Sequence, residues 1–470
     1  MKKTSPENHQ ETRDIVSLSK ALRAAQQLVI YRRVLSDPIV SSLLELLDQL
    51  SRNAKLTRKA LLRITESYAT FFSRLAERTA ASCRYGLGTP WQDHLLDLIL
   101  NDENLFSSQA QHCSSGDLGK SLVRQVEVDL SRLQRLYHVD ADTVLSLLRK
   151  SDPGGEWLGW DELGSAAANS EHGLERRHTA QLLHDAAEWS LLLPALADCY
   201  QKTGAGLFSQ YRAFQWKRST EGGGVRPIAE PDPIRLEELV GFEGQKETLI
   251  RNTSHFLAGY PANNVFAYGD RGTGKSSAIK ALLNHFPGEP LRMIEVSRDD
   301  LGDLPQVMTL VRQRRERFIL FVDDLSFEEG ETQYKTLKAV LEGSLEARPK
   351  NVLIYATSNR RHLIQEHFSD RNDLGSDEVR QQDTLQEKVS LADRFGIQLV
   401  FVTPNQKEYF AIVGSLAKRG QLPIEPEDLE RRALQWVQLH NARSGRTARQ
   451  FIDDLTAELS AQANQKATTY

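Results

Sequence analysis

The sequence predicts a parallel-sheet α/β core in its second half, closed by a small helical lid at the carboxyl end and preceded by an all-α domain. Three observations carry this expectation. The run Gly269-Asp270-Arg271-Gly272-Thr273-Gly274-Lys275-Ser276 fits G-x-x-x-x-G-K-[ST], and it stands between an apolar stretch at Asn264–Tyr268 and a helical pattern from Lys275 to Phe286. Five short apolar runs, Val265–Tyr268, Leu291–Val296, Phe318–Val322, Val352–Ala356 and Ile397–Val402, alternate with helical stretches, the order that builds a parallel sheet. From Asp14 to about Arg218 the periodicity is helical throughout, as in the one-sided stripe Ile39, Leu43, Leu46, Leu47 and Leu50.

Taken in order, residues 1–12 are polar and are expected to be a disordered tail. Asp37-Pro38 and Thr89-Pro90 each supply an N-cap and a proline at the first helical position, the second pair opening a helix at Trp91–Leu100. The helical domain is drawn over residues 13–218. Two stretches in it invite a binding role. Arg52, Lys55, Arg58, Lys59 and Arg63 read as one basic helix. Tyr211-Arg212-Ala213-Phe214-Gln215-Trp216-Lys217-Arg218 interleaves aromatics with cations, as single-strand binders do. The plainer readings are a solvated helix face and a packing anchor. Residues 219–235, with Gly222-Gly223-Gly224 and prolines at 227, 231 and 233, read as a linker. The core is drawn over 236–404, where Leu239-Val240-Gly241-Phe242 leads into a helix at Gln245–Leu257, and the lid over 405–470.

Composition narrows the classes. Fifty-nine Lys and Arg against 63 Asp and Glu give a net charge of −4, so no global field draws the chain to nucleic acid or to an anionic membrane. The cysteines, Cys83, Cys113 and Cys199, are scattered and odd in number, which fits a reducing cytoplasm better than a disulfide framework. Met1-Lys2-Lys3 is followed by polar residues where a signal peptide needs an apolar run. No apolar run approaches the roughly 18 residues that a membrane span requires. A cytoplasmic protein without a membrane partner is expected.

The glycine motif has a stated chemistry. Its glycines let backbone N–H groups turn inward toward phosphate oxygens, Lys275 reaches the β/γ-phosphates, and the Ser276 hydroxyl ligates Mg²⁺. A helix N-terminus directly after it adds to the anion site. The third apolar run ends in Asp323-Asp324 and the fourth in Thr357-Ser358-Asn359. Lys275, the two aspartates and Asn359 therefore fall at the carboxyl ends of strands, the edge where open α/β sheets bind ligands. ATP and Mg²⁺ are the expected cofactors. Ser277, Val240 and Gly241 complete the expected nucleotide contacts beside Gly269 to Ser276.

Box by box, residues 236–463 resemble an AAA+ ATPase. Gly269–Ser276 is similar to its Walker A motif, Phe318–Asp324 to Walker B, and Asn359 in Ala-Thr-Ser-Asn to sensor 1. Asp393-Arg394-Phe395-Gly396 resembles the arginine-finger box, and Arg449 in Gly445-Arg-Thr-Ala-Arg449-Gln-Phe resembles sensor 2 on the lid. More narrowly, Tyr-Gly-Asp-Arg-Gly-Thr-Gly-Lys-Ser-Ser, Phe-Val-Asp-Asp-Leu-Ser-Phe-Glu-Glu and Ser-Gly-Arg-Thr-Ala-Arg-Gln-Phe resemble the bacterial family called domain of unknown function 815. The resemblance implies ATP hydrolysis, with Asp324, Asn359, Arg394 and Arg449 as the catalytic set and Ser276 and Asp323 on the metal. It names no client.

Two points qualify it. The usual Walker B ends Asp-Glu, whereas this one ends Asp323-Asp324, as AAA+ replication initiators also do; Glu328 or Glu329 is the alternative water-positioning carboxylate. Arg394 precedes the fifth strand, on the order of 20 Å of strand away from its own phosphate loop, so it either enters a neighbour's site or merely pairs with Asp393 or another surface carboxylate. A homo-oligomer with shared sites is expected. Three roles compete: a remodelling ATPase acting on a protein client, a DNA-associated loader or initiator, and a nucleotide-gated scaffold with little turnover. The loop Ser297–Asp303 carries no aromatic residue, which argues against threading a polypeptide through a pore with it.

Overall fold

A computed structural model describes residues 6–52, 57–81, 85–152, 154–163, 174–219, 222–326, 333–342, 348–359, 391–440 and 443–468. The chain divides into two compact units, Met1–Gln210 and Tyr211–Tyr470.

Among its described residues the first unit holds helices and no strand, and its first helix, Pro6–Gln26, begins inside the stretch 1–12 expected to be a disordered tail. Asp37 caps the helix Pro38–Arg52, its Oδ1 accepting from the amides of Ile39 at 2.9 Å and Val40 at 3.1 Å. Thr89 opens the helix Pro90–Asn101 with a capping box, exchanging bonds with Gln92. The core is aromatic as well as aliphatic: Trp91, Trp160 and Trp189 are fully buried. The basic stretch does not form one described helix. Arg52 ends one helix, Arg58, Lys59 and Arg63 lie on the next, Arg58–Ala81, and Lys55 lies outside the described residues. Cys113 and Cys199 are free thiols, and Cys83 lies outside the described residues. No helix is long and apolar enough to cross a membrane among the described residues.

The second unit is built on a seven-stranded sheet. Its strands are β1 (Ala213–Ser219), β2 (Gly222–Ile228), β3 (Val265–Gly269), β4 (Leu291–Glu295), β5 (Arg317–Val322), β6 (Val352–Ser358) and β7 (Ile397–Phe401), in the order β2-β1-β4-β5-β6-β3-β7. All neighbours are parallel except β1 and β2. Five strands are those expected from the apolar runs. The other two overturn the reading of 213–218 as helical and of 219–235 as a linker. In the stretch Phe214-Gln-Trp216-Lys217 the relevant period is two: Phe214 and Trp216 are buried and Lys217 is exposed. Glycine at 223 answers a packing need, since a Cβ there would lie 2.1 Å from the Trp216 indole. Both aromatics serve the sheet and offer no face for stacking a base.

Trp216 and Arg218 also fix the segment after β4. The Trp216 Nε1 donates to Asp303 at 3.0 Å, and Arg218 donates to both Asp303 oxygens at 2.7 and 2.8 Å. Arg298–Asp303 is accordingly a short 3-10 helix whose Leu301 is fully buried. The helix after the glycine motif runs Lys275–Lys280 and resumes at Leu282–His285, a break the periodicity does not show. Among its described residues the lid has three helices, Gln406–Arg419, Pro426–His440 and Gly445–Thr468, around a small core of its own that includes Tyr409, Val413, Ala433 and Phe451.

Candidate nucleotide site

Strand β3 ends at Gly269 beside the edge strand β7, so the glycine motif opens between β6 and β7. Gly269, Gly272 and Gly274 have φ of +137°, +75° and +95°, values that favour glycine and curl the loop so that its amides can turn inward. Gly269 has a second constraint, since a Cβ there would sit 1.9 Å from the Phe401 carbonyl oxygen.

Lys275 is buried, and its Nζ donates to the carbonyls of Gly269 at 3.0 Å and Asp270 at 2.6 Å and to the Asn359 Oδ1 at 3.2 Å. Burial pushes its ammonium below the usual lysine range, against the pull of Asp270, Asp324 and Asp323. Beside it, the Ser276 hydroxyl and the Thr357 hydroxyl each donate to Asp323 Oδ1 at 2.5 Å. The Asp324 amide donates to Thr357 Oγ1 at 2.9 Å, and Asn359 Nδ2 donates to Asp324 Oδ1 at 2.6 Å. The strand ends of β5 and β6 and the loop after β3 are thus one bonded cluster. Asp324 itself is left-handed, with φ +51°.

A cavity of about 800 Å³ lies over this cluster. The loop residues Arg271 to Ser277, both aspartates, Thr357 and Asn359 line its floor. Leu239, Val240 and Phe242 form one apolar wall, and Ile412 and Leu416 of the lid face it. Gly241, with φ +84°, turns the chain between two lining residues but is not itself among the described residues that line the cavity; nor are Gly269 and Asp270. Arg446, Arg449, Gln450 and Asp453, on one face of the last helix, close the top.

The structure therefore brings together Lys275, Ser276, Ser277, Asp323, Asp324, Asn359 and Arg449. It does not bring Arg394 to them. That residue ends the turn Ala392–Arg394 before β7, at the opposite edge of the sheet, and its Nη2 lies 2.5 Å from the Glu342 carboxylate. Glu328 and Glu329 lie outside the described residues. Thr357, Arg446 and Asp453 also line the cavity, beyond the residues that the sequence motifs single out. The signals existed: Thr357 is two residues before Asn359 and so on the same strand face, and Arg446 and Asp453 lie three before and four after Arg449 on one helix face.

Residues 209–459, more than half of the chain, match the family described as "Protein of unknown function (DUF815)". The chain belongs to this family. The matched region has a mostly parallel sheet, the glycine motif at the sheet's carboxyl edge and a helical lid. No curated protein matches the chain. Among solved structures it is similar to the RuvB Holliday junction branch migration motor of Thermotoga maritima, at 17% identity and TM-score 0.31 over 47% of this chain and 72% of that one. The replication initiator DnaA bound to AMPPCP and single-stranded DNA is 20% identical at TM-score 0.34, over 52% and 70%. The FIGL-1 AAA domain in complex with ADP is 14% identical at TM-score 0.30, over 51% and 92%.

Proposed function

We propose that this DUF815 protein binds ATP with Mg²⁺ and hydrolyses it, in an oligomer with shared sites, to remodel or assemble a macromolecular client. One observation carries the reading: Ser276 and Thr357 converge on Asp323 while Lys275 and Asp324 converge on Asn359, all under one cavity. The Ser276 hydroxyl and Asp323 carboxylate are paired hard oxygens, the donor set that Mg²⁺ takes beside phosphate and water. When bound there, the ion supplies charge neutralisation at the β/γ-phosphates.

The chain's own residues do the rest. The loop amides from 271 to 276 receive the phosphates, and Lys275 exchanges its carbonyl partners for phosphate oxygens. Asn359 and Asp324 hold a water in line with the γ-phosphorus; its oxygen bonds phosphorus as the bridging oxygen leaves with ADP, and the Asp324 carboxylate accepts the proton the water gives up. Arg449 faces the γ-phosphate from the lid. Phosphoryl transfer of this kind depends on positioning and charge, which these groups provide. Arg394 is assigned to the neighbouring subunit's site, because its own phosphate loop lies at the far edge of the sheet. The test is calorimetric and enzymatic together. Wild type should bind and hydrolyse ATP in Mg²⁺, Asp324→Asn should bind without turnover, and an Asp324→Asn variant hydrolysing at the wild-type rate would refute the assignment.

A further inference from the structure

The phosphate loop is fastened to the lid at two separate points. The first is Asp270. Its amide donates to the Phe401 carbonyl at 3.0 Å, and its Oδ2 accepts from the Thr403 amide at 2.8 Å and from the Thr403 hydroxyl at 2.6 Å. Thr403 stands in the short connection from β7 to the lid. Pro404 follows with a fixed φ, and Asn405 then caps the helix Gln406–Arg419 in a reciprocal box with Glu408. The second point is Gly272, whose carbonyl accepts from the Arg446 amide at 3.3 Å. A Cβ on Gly272 would lie 2.8 Å from Ser444 Oγ, so glycine there lets the last lid helix seat on the loop. The first and last lid helices share one core through Tyr409, Val413, Phe451 and Ile452, so both fastenings hold one body.

A carboxylate inside a loop that receives phosphate is electrostatically adverse unless it is engaged elsewhere. Asp270 is engaged, and it does not line the cavity. We propose that Asp270 is a positioning residue: through Thr403 it anchors the lid hinge to the phosphate loop, so that the lid angle, and with it the placement of Arg446 and Arg449, follows the loop. The inference rests on the nucleotide-site reading above. The bonds from the Thr403 hydroxyl and amide hold the Asp270 carboxyl below the usual aspartate range, so the acceptor stays ionised at neutral pH.

The experiment compares wild type with Asp270→Ala, Asp270→Asn, Thr403→Val and the double variant Asp270→Ala/Thr403→Val. Asp270→Ala should retain ATP affinity within about threefold while kcat falls on the order of tenfold to a hundredfold, the penalty of a small misplacement of charged groups. Hydrogen exchange at the Arg446 amide and in the first turn of its helix should quicken in the nucleotide-free variant. Asp270→Asn, which can still accept from Thr403, should restore most of both readouts. Thr403→Val should show a milder loss, and the double variant no more than Asp270→Ala alone. Unchanged exchange and kcat in Asp270→Ala would overturn the proposal, as would an Asp270→Asn protein as impaired as Asp270→Ala. A wild type that binds no nucleotide would remove the ATPase reading, while the exchange comparison would still decide the anchor.

Discussion

The two edges of the sheet are built on opposite plans. At the carboxyl edge Lys275, Asp323, Asp324, Thr357 and Asn359 are bonded to one another across three strands, and the backbone is bent to permit it. At the amino edge Arg394 stands on a short turn, partly exposed, with the Glu342 carboxylate as its partner. A cluster in which each group fixes another holds a geometry against water. A single exposed ion pair holds little, roughly 0–1 kcal/mol, and is easily exchanged for a different partner. The first is suited to chemistry within the subunit and the second to a contact made with another one.

The largest effect is expected at Lys275. Lys275→Ala removes the ammonium at the floor of the cavity and leaves the carbonyls of Gly269 and Asp270 without their donor. ATP binding by calorimetry should be lost, and retained binding at wild-type affinity would mean that the loop amides suffice. Next in size is Arg394→Ala. ATP should bind normally while turnover falls by about 10³- to 10⁵-fold, the scale of an arginine delivered to a transferring phosphoryl group. Mixing Arg394→Ala with Lys275→Ala subunits should recover activity, because one interface then has both an intact loop and an intact arginine. A co-assembled mixture that stays dead would assign Arg394 to its own subunit's structure.

Asp324→Glu tests the bent backbone. Aspartate and asparagine tolerate the left-handed region better than longer side chains, and a residue forced into it costs about 1–2 kcal/mol. At φ +51° the shorter residue fits where a longer side chain is strained, and Asn359 reaches its carboxylate at 2.6 Å. Asp324→Glu should lower the melting temperature by a few degrees and turnover by about tenfold. Asp324→Asn should leave the melting temperature unchanged. Equal stability and faster turnover in Asp324→Glu would show that the bend does not select the residue.

The two edges also differ in how far they were legible. Asp323 and Asp324 follow an apolar run directly and Asn359 follows another after Thr357 and Ser358, so strand period and the edge rule for ligands find all three without a structure. The lid contacts Arg446 and Asp453 share a helix face with Arg449 but have no motif, and Thr403 and its bond to Asp270 join residues 133 positions apart, which no local pattern reports. The strands β1 and β2 were hidden for another reason. Three glycines and two prolines in 222–231 carry the composition of a linker, although one glycine is there to clear an indole. In the helical unit the stripes and caps reveal the helices, and nothing in them reveals a task.

The smallest effect is expected at Glu342. The Arg394–Glu342 pair joins side chains that are each about one-third exposed, 36% and 32%, so screening leaves it roughly 0–1 kcal/mol. Glu342→Gln should therefore leave the melting temperature of the dilute protein within about a degree or two. Its effect on turnover has the opposite sign from that of Arg394→Ala. An arginine that must leave Glu342 to enter a neighbour's site gives up the pair each time, so neutralising the carboxylate should raise turnover per site by up to about fivefold, the equivalent of about 1 kcal/mol. The gain should vanish at protein concentrations too low for assembly, because an isolated subunit has no second site to receive the arginine. If Glu342→Gln lowers turnover instead, the pair is needed in place, and Arg394 serves its own subunit.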